Sequence, residues 1–496
     1  MDYIIGVDVG TSGTKAVAFG EEGEVLGEHR ITYPILNPQP HHYEQDPEVL
    51  FDAVIASIGG VVRATRQHIP GSQLIGVGFS SAMHGIFAVD NENRPLTHCI
   101  IWTDTRSMPF ATQLKDTPEG ASIYRATGTP IHPMSPLCKL AWMRSHMRAV
   151  HSSAHKFISI KEYVFYKLFS RYVVDESIAS ATGLFDVHRM RWHAEALELA
   201  GVPAERLSEP VAVTCPFIGV QSHFAAQMGI DPLTPFVIGG SDGCLANLGA
   251  NVTRPGDVAV TIGTSGAIRM TSEAPRTDPR ARTFSYVLTE KFHVLGGAVN
   301  NGGIALQWFR DNFVAADHHS KTSYETLIAS ASRIPAGSEG LIFLPYLSGE
   351  RSPHWNANAK ALFFGVQLHH HKDHFTRAVM EGVVFGLYSV GKALEEITTP
   401  IRTIHANGGF ARSTLWLQLL ADIFNREVVV PDNVEGSARG AYLVVLKALD
   451  RLADFSAIDV QGSAADRFEP DQARHQQYLM NFERFERLYD KVKDEF

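Results

Sequence analysis

Two short segments of this 496-residue chain repeat one arrangement of residues suited to holding a phosphate. The first runs Asp8, Val9, Gly10, Thr11, Ser12, Gly13, Thr14, Lys15. The second, at 261–266, reads Thr-Ile-Gly-Thr-Ser-Gly inside DVAVTIGTSGAIRM. In each, an apolar β run enters a Gly-Thr-Ser-Gly turn and a second β run leaves it. Glycines let backbone N–H groups close on an anion, Thr11 and Ser12 can donate hydrogen bonds, and Lys15 adds a point charge. Asp8 suits Mg²⁺, held directly or through water. The phosphate-loop spacing G-x-x-x-x-G-K-[ST] is absent, and a strand rather than a helix follows. A single such turn reads as a hairpin with a capping Asp. Two copies, each opening about half of the chain, point to phosphate turns facing each other across a cleft.

Asp242 follows the apolar run FVIGGS, at a strand end where α/β folds place reactive groups. It is either a base that accepts the proton of a substrate alcohol or an ordinary helix N-cap. Met83 and His84 follow a strand at 74–79, and Asp104 and Arg106 follow Trp102. These polar groups around an apolar floor suit a polyhydroxylated ligand. The plainer alternatives are a structural Asp104–Arg106 ion pair and a satisfied interior His84. The segment NGGFARS at 407–413 ends a strand and opens a helix, where a glycine pair lets a flat base or sugar approach the backbone. The run His369, His370, His371 has no carboxylate at ligand spacing and reads as a surface loop.

The elements that must carry these residues alternate. Strands are expected at 3–9, 15–19, 24–31, 74–79 and 401–406, and helices at 50–64, 304–312, 375–394 and 413–424, which gives an α/β architecture. The tail 471–496 is expected as a solvated packing helix. Hydrophobic residues make up 45% and charged residues 20%, so the chain has material for more than one core. Length alone suggests roughly three domains, but the repeat divides the chain into two, joined at 250–256. A formal charge of −9 argues against a nucleic-acid partner and leaves room for a local basic pocket for a small anion. Cys99, Cys138, Cys215 and Cys244 form no C-x-x-C pair, and neither a signal peptide nor a membrane span is apparent. A cytoplasmic location follows as the expectation.

Taken together, DVGTSGTK (8–15), GGSDG (239–243), TIGTSG (261–266), LPYLSGERSP (344–353) and NGGFARS (407–413) resemble the FGGY carbohydrate kinases of the actin-like ATPase superfamily, over essentially the whole chain. The resemblance implies two ribonuclease-H-like lobes, 1–250 and 251–496, with ATP, Mg²⁺ and a sugar in a central cleft. It makes Asp242 the base, puts Thr264 on the γ-phosphate path, and places Gly303, Gln307, Gly409 and Ser413 against the nucleotide. It also implies a homodimer. Within the family, SSAMH (80–84), IIWTDTR (100–106), GTPIHPMSPLCKL (128–140) and AVNNGG (298–303) are most similar to the branch that phosphorylates gluconate to 6-phosphogluconate. The xylulose branch is the alternative, since Met-His, Asp and Arg are common to both. Arg106, Lys139 and Lys161 are the cations considered for a substrate carboxylate.

Overall fold

Each Gly-Thr-Ser-Gly turn joins two antiparallel strands in the interior of a sheet. The computed structural model describes residues 1–314, 323–430, 436–457 and 466–496. In the first sheet, β1 (Asp2–Val9) and β2 (Gly13–Phe19) flank the first turn, with Asp8 opposite Lys15. Strand β3 (Val25–Thr32) extends that edge. On the other side of β1 lies β4 (Gln73–Ser81), in parallel. The short β5 (Pro216–Phe217) caps the far edge beyond β6 (Phe236–Ser241), giving the order β5-β6-β4-β1-β2-β3.

The second sheet repeats this plan. Strands β7 (Asp257–Ile262) and β8 (Gly266–Ser272) flank the second turn. Next to β8 come β9 (Phe284–Thr289) and β10 (Phe292–Val299). On the other side of β7, β11 (Thr403–Asn407) and β12 (Glu427–Val429) are parallel, and β13 (Arg467–Phe468) ends the order β9-β10-β8-β7-β11-β12-β13. An antiparallel turn-bearing pair beside two parallel strands recurs in both halves. The duplicated motif of the sequence is thus a duplicated topology.

The helices that position the site are α1 (Pro47–His68), α2 (Asp242–Gly249), α3 (Gly303–Phe309), α4 (Lys372–Ile397), α5 (Thr414–Phe424), α6 (Gly436–Ala448) and α7 (Gln472–Val492). Helix α1 starts where Asp46 accepts a hydrogen bond from the Glu48 N–H at 2.9 Å and Pro47 fills the first helical position. Its buried face, Leu50, Val54, Ile58 and Val61, packs with Val7 and Phe79 in one core. Strand β1 is covered on both faces, which accounts for its nearly unbroken apolar run.

Helix α6 comes from the second half of the chain but packs on β1, β4 and α2. A Cβ on Gly440 would lie 2.1 Å from the Leu245 carbonyl oxygen, so the α2–α6 crossing admits only glycine there. Ile4, Phe19, Leu245, Ala441 and Val444 share one core, which ties the two halves together. The C-terminal helix is more deeply embedded than expected. Tyr478, Phe482, Phe485 and Tyr489 recur at helical spacing and are buried against the second core.

Candidate active site

Asp242 is not the cap of its helix. Ser241 takes that role, its hydroxyl accepting from the Cys244 N–H at 3.4 Å, and Asp242 occupies the first helical position with Oδ1 on the Gly243 N–H at 2.7 Å. The N-cap alternative is therefore set aside. Just before it, Gly239 has φ +67°, and a Cβ there would lie 1.7 Å from the Phe79 carbonyl oxygen. Only glycine lets β6 turn this tightly into α2. Burial raises the Asp242 pKa above the ordinary carboxylate value, and the Arg269 charge opposes the rise.

Asp242 lines a cavity of about 200 Å³ between the two sheets, together with Thr11, Met83, His84, Trp102, Arg269 and Arg351. The Thr11 hydroxyl accepts from Trp102 Nε1 at 2.9 Å, and the Thr11 carbonyl accepts from Gln45 at 2.8 Å. Tyr33 Oη holds the Gly10 carbonyl at 2.6 Å. The first turn is thus fixed from below by side chains of its own half. Burial pulls the His84 pKa down to about 3, so the ring is neutral. Its Nδ1 lies 2.8 Å from the Ala181 carbonyl, which assigns the proton to Nδ1 and leaves Nε2 as an acceptor for a hydroxyl.

Arg269 and Arg351 were not singled out in the sequence. Arg269 lies on β8 between the fully buried Ile268 and Met270, and its Nε is buried without a partner among the described residues. An arginine flanked by apolar Ala267, Ile268 and Met270 in a strand was the available signal. Arg351 donates through Nε to Asn300 Oδ1 at 2.7 Å and through Nη2 to the Val299 carbonyl at 3.3 Å. It stacks 5.0 Å over the Trp102 ring, which bridges the halves. Burial pulls its pKa down to about 10.

Several expected contributors are engaged elsewhere. Asp104 accepts the Tyr43 N–H at 2.7 Å and the Arg106 Nε at 2.9 Å, while Arg106 reaches Glu44 Oε1 at 2.7 Å. They form the structural ion pair and do not line the cavity. Lys139 donates to three carbonyls, those of His84, Ile100 and Ile101, at 2.7, 3.2 and 2.8 Å. Burial brings its pKa down to about 7. Lys161 pairs with Asp175 at 2.6 Å and props the Gly240 carbonyl at 2.8 Å, directly beneath Asp242. Lys15 pairs with Glu28 at 2.6 Å, and the Ser12 hydroxyl accepts from Arg30 at 3.2 Å. Asp8, at the end of β1, accepts the Ser80 hydroxyl at 2.8 Å.

The second half carries a separate cavity of about 420 Å³. Thr264, Gly303, Gln307, Gly409 and Ser413 all line it, with apolar walls from Ile262, Leu306 and Trp416. The second turn is fastened to the start of α3, because the N–H groups of Gly302 and Gly303 donate to the Thr264 and Gly263 carbonyls at 3.0 and 2.7 Å. Ser413 caps α5. A slot with apolar walls ending at a glycine turn suits a nucleotide base above its phosphates.

The histidine run corrects the sequence reading in one respect, since the fold does supply a carboxylate. Glu339 lies among His369, His370 and His374, with Oε2 2.8 Å from His369 Nε2 and 3.4 Å from His374 Nε2. However, backbone N–H groups of Gln367 and His371 donate to Nδ1 of His370 and His374 at 3.0 and 3.3 Å. Nδ1 of each ring is therefore an acceptor; His374 Nε2 faces Glu339 Oε2 at 3.4 Å, whereas His370 Nε2 is buried without a hydrogen-bond partner among the described residues. Among the described residues, His369 and His374 pair with Glu339, and His370 completes a mostly exposed cluster.

Comparison with known proteins accords with this geometry. Residues 3–249 match the N-terminal domain of the FGGY family of carbohydrate kinases, and residues 258–449 match its C-terminal domain. The chain is 45% identical over 486 residues to a gluconokinase of Bacillus subtilis, covering 96% of this chain and 94% of that one. Its structure superposes on a gluconate kinase from Lactobacillus acidophilus with a TM-score of 0.94 at 34% identity, covering 99% and 98% of the two chains. A xylulose kinase from the same organism gives the same TM-score at 33% identity, covering 99% of each chain.

Proposed function

The chain belongs to the FGGY family of carbohydrate kinases, and from that premise we propose that it transfers the γ-phosphoryl group of ATP to the terminal hydroxyl of gluconate, giving 6-phosphogluconate. One observation carries the choice of an acidic substrate. Among the described residues, the cavity holding Asp242 is lined by two guanidinium groups, a single carboxylate and a neutral imidazole, so its own charge is positive within a chain of formal charge −9. The 45% identity to a gluconokinase supports the same choice. Overall shape does not discriminate, since the xylulose kinase superposes equally well.

In this reading ATP lies in the 420 Å³ slot, its phosphates directed by the second turn at Thr264 toward the first turn at Thr11. The substrate hydroxyls meet His84 Nε2 and the Met83 and Trp102 floor. Asp242 accepts the proton of the attacking hydroxyl as the phosphoryl group moves, while positioning and charge neutralisation supply most of the rate. The Asp8 carboxylate beside the first turn is the hard oxygen donor that Mg²⁺ takes, and it would hold the ion directly or through water. When bound, that ion neutralises phosphate charge.

The two lobes at 1–250 and 251–496, a cytoplasmic location and a homodimer belong to the same reading. The four free thiols fit a reducing compartment, and no helix among the described residues is long and apolar enough to cross a membrane. The test is product identity. Purified enzyme with ATP and gluconate should drive NADP⁺ reduction by added 6-phosphogluconate dehydrogenase, and no signal at any gluconate concentration would end the proposal.

A further inference from the structure

The cations considered in the sequence for a substrate carboxylate are all committed elsewhere. Arg106 is held by Asp104 and Glu44, Lys139 by three carbonyls and Lys161 by Asp175. Arg351 lines the cavity but is fixed by Asn300, Val299 and the Trp102 ring. Arg269 differs. Its Nε is buried and has no hydrogen-bond partner among the described residues, and the side chain lines the same cavity. Its guanidinium lies against the backbone of Gly243, whose Cβ, were there one, would sit 3.1 Å from Nε and 3.4 Å from Nη2. A buried guanidinium with an unsatisfied donor is costly, because its planar set of N–H groups loses water without replacement. The natural repayment is a ligand acceptor, and a carboxylate matches the guanidinium fork with two parallel hydrogen bonds.

Resting on the gluconate reading, we propose that Arg269 is the residue that recognises the substrate carboxylate and thereby selects a sugar acid over a neutral sugar. Asp242 alone does not satisfy Arg269, because Asp242 Oδ1 is on the Gly243 N–H and Nε stays unpaired among the described residues. With the two arginines and Asp242 the cavity carries one net positive charge, which a single substrate carboxylate balances.

The experiment measures gluconate Kd by calorimetry for the wild type, Arg269→Met and Arg269→Lys, with thermal melting to establish folding. Losing one partner of a buried charge pair should weaken gluconate binding on the order of 30- to 1,000-fold. Arg269→Lys, which keeps charge without the fork, should fall between. The neutral polyol D-glucitol should bind the wild type about as weakly as gluconate binds Arg269→Met. A gluconate Kd within threefold of wild type in both variants overturns the inference, including the case where kcat falls and the pH profile shifts, since Arg269 would then act only on Asp242. Absence of gluconate binding to the wild type would instead remove the underlying function, and the inference with it.

Discussion

Asp242→Asn is the most informative single change to the proposed chemistry. The amide is isosteric, and its Oδ1 keeps the 2.7 Å bond from the Gly243 N–H, so α2 and its Ser241 cap stay in place. What is lost is the acceptor for the substrate proton. General-base catalysis by a positioned carboxylate contributes about 10²- to 10⁴-fold, equivalent to about 3 to 5 kcal/mol at 1.36 kcal/mol per tenfold. The loss should appear in kcat, because the nucleotide slot is lined by the second half of the chain and Asp242 is not among its residues. Steady-state kinetics should therefore show kcat reduced at least 100-fold, and calorimetry should show the Kd for ADP within about threefold of wild type. A variant retaining more than a tenth of wild-type kcat would refute the assignment of Asp242 as base. A variant that lost nucleotide binding would refute the separation of the two cavities.

Other outcomes follow from the same geometry. Burial raises the Asp242 pKa, and only the ionised form accepts a proton, so activity must fall as pH drops through that raised value. The acid limb of kcat/KM should lie above the ordinary carboxylate range, and Arg269→Met, which removes the opposing charge, should move it to still higher pH. A limb near pH 4 in wild type would count against this. Gly239→Ala should destabilise the fold by more than about 2 kcal/mol in urea titration, since it combines a left-handed φ with a Cβ 1.7 Å from the Phe79 oxygen. Trp102→Phe removes the Nε1 donor to Thr11 while keeping a ring under Arg351. It should leave melting nearly unchanged and raise the KM for sugar, as checked by initial-rate kinetics.

Much of this site could be read from the chain because its parts are local. A Gly-Thr-Ser-Gly turn between two apolar runs fixes its own geometry, and its second copy exposed the duplication that the two sheets display. Gly303, Gln307, Gly409 and Ser413 were placed by motif and are found around one slot. Pairings across long separations were not readable. Asp104 and Arg106, two residues apart, read equally as ligand groups or as a structural ion pair, and it is Tyr43 and Glu44, closing on them from another segment, that favour the pair. Arg269 gave only a charged position in a buried strand, and its proximity to Asp242 depends on how α2 meets β8. Glu339 reaches His369 and His374 only because the 338–340 turn lies against the start of α4. Helix α6 shows the same limit at larger scale, leaving its own half of the sequence to complete the core of the other.

The central claim is that this cavity accepts a sugar acid, and a head-to-head specificity measurement tests it most directly. With saturating ATP and Mg²⁺, ADP release should be followed for gluconate and for D-xylulose over the same concentration range. The expected result is a kcat/KM for gluconate at least 100-fold above that for xylulose, about 3 kcal/mol of discrimination. A kcat/KM for xylulose equal to or greater than that for gluconate would contradict the account.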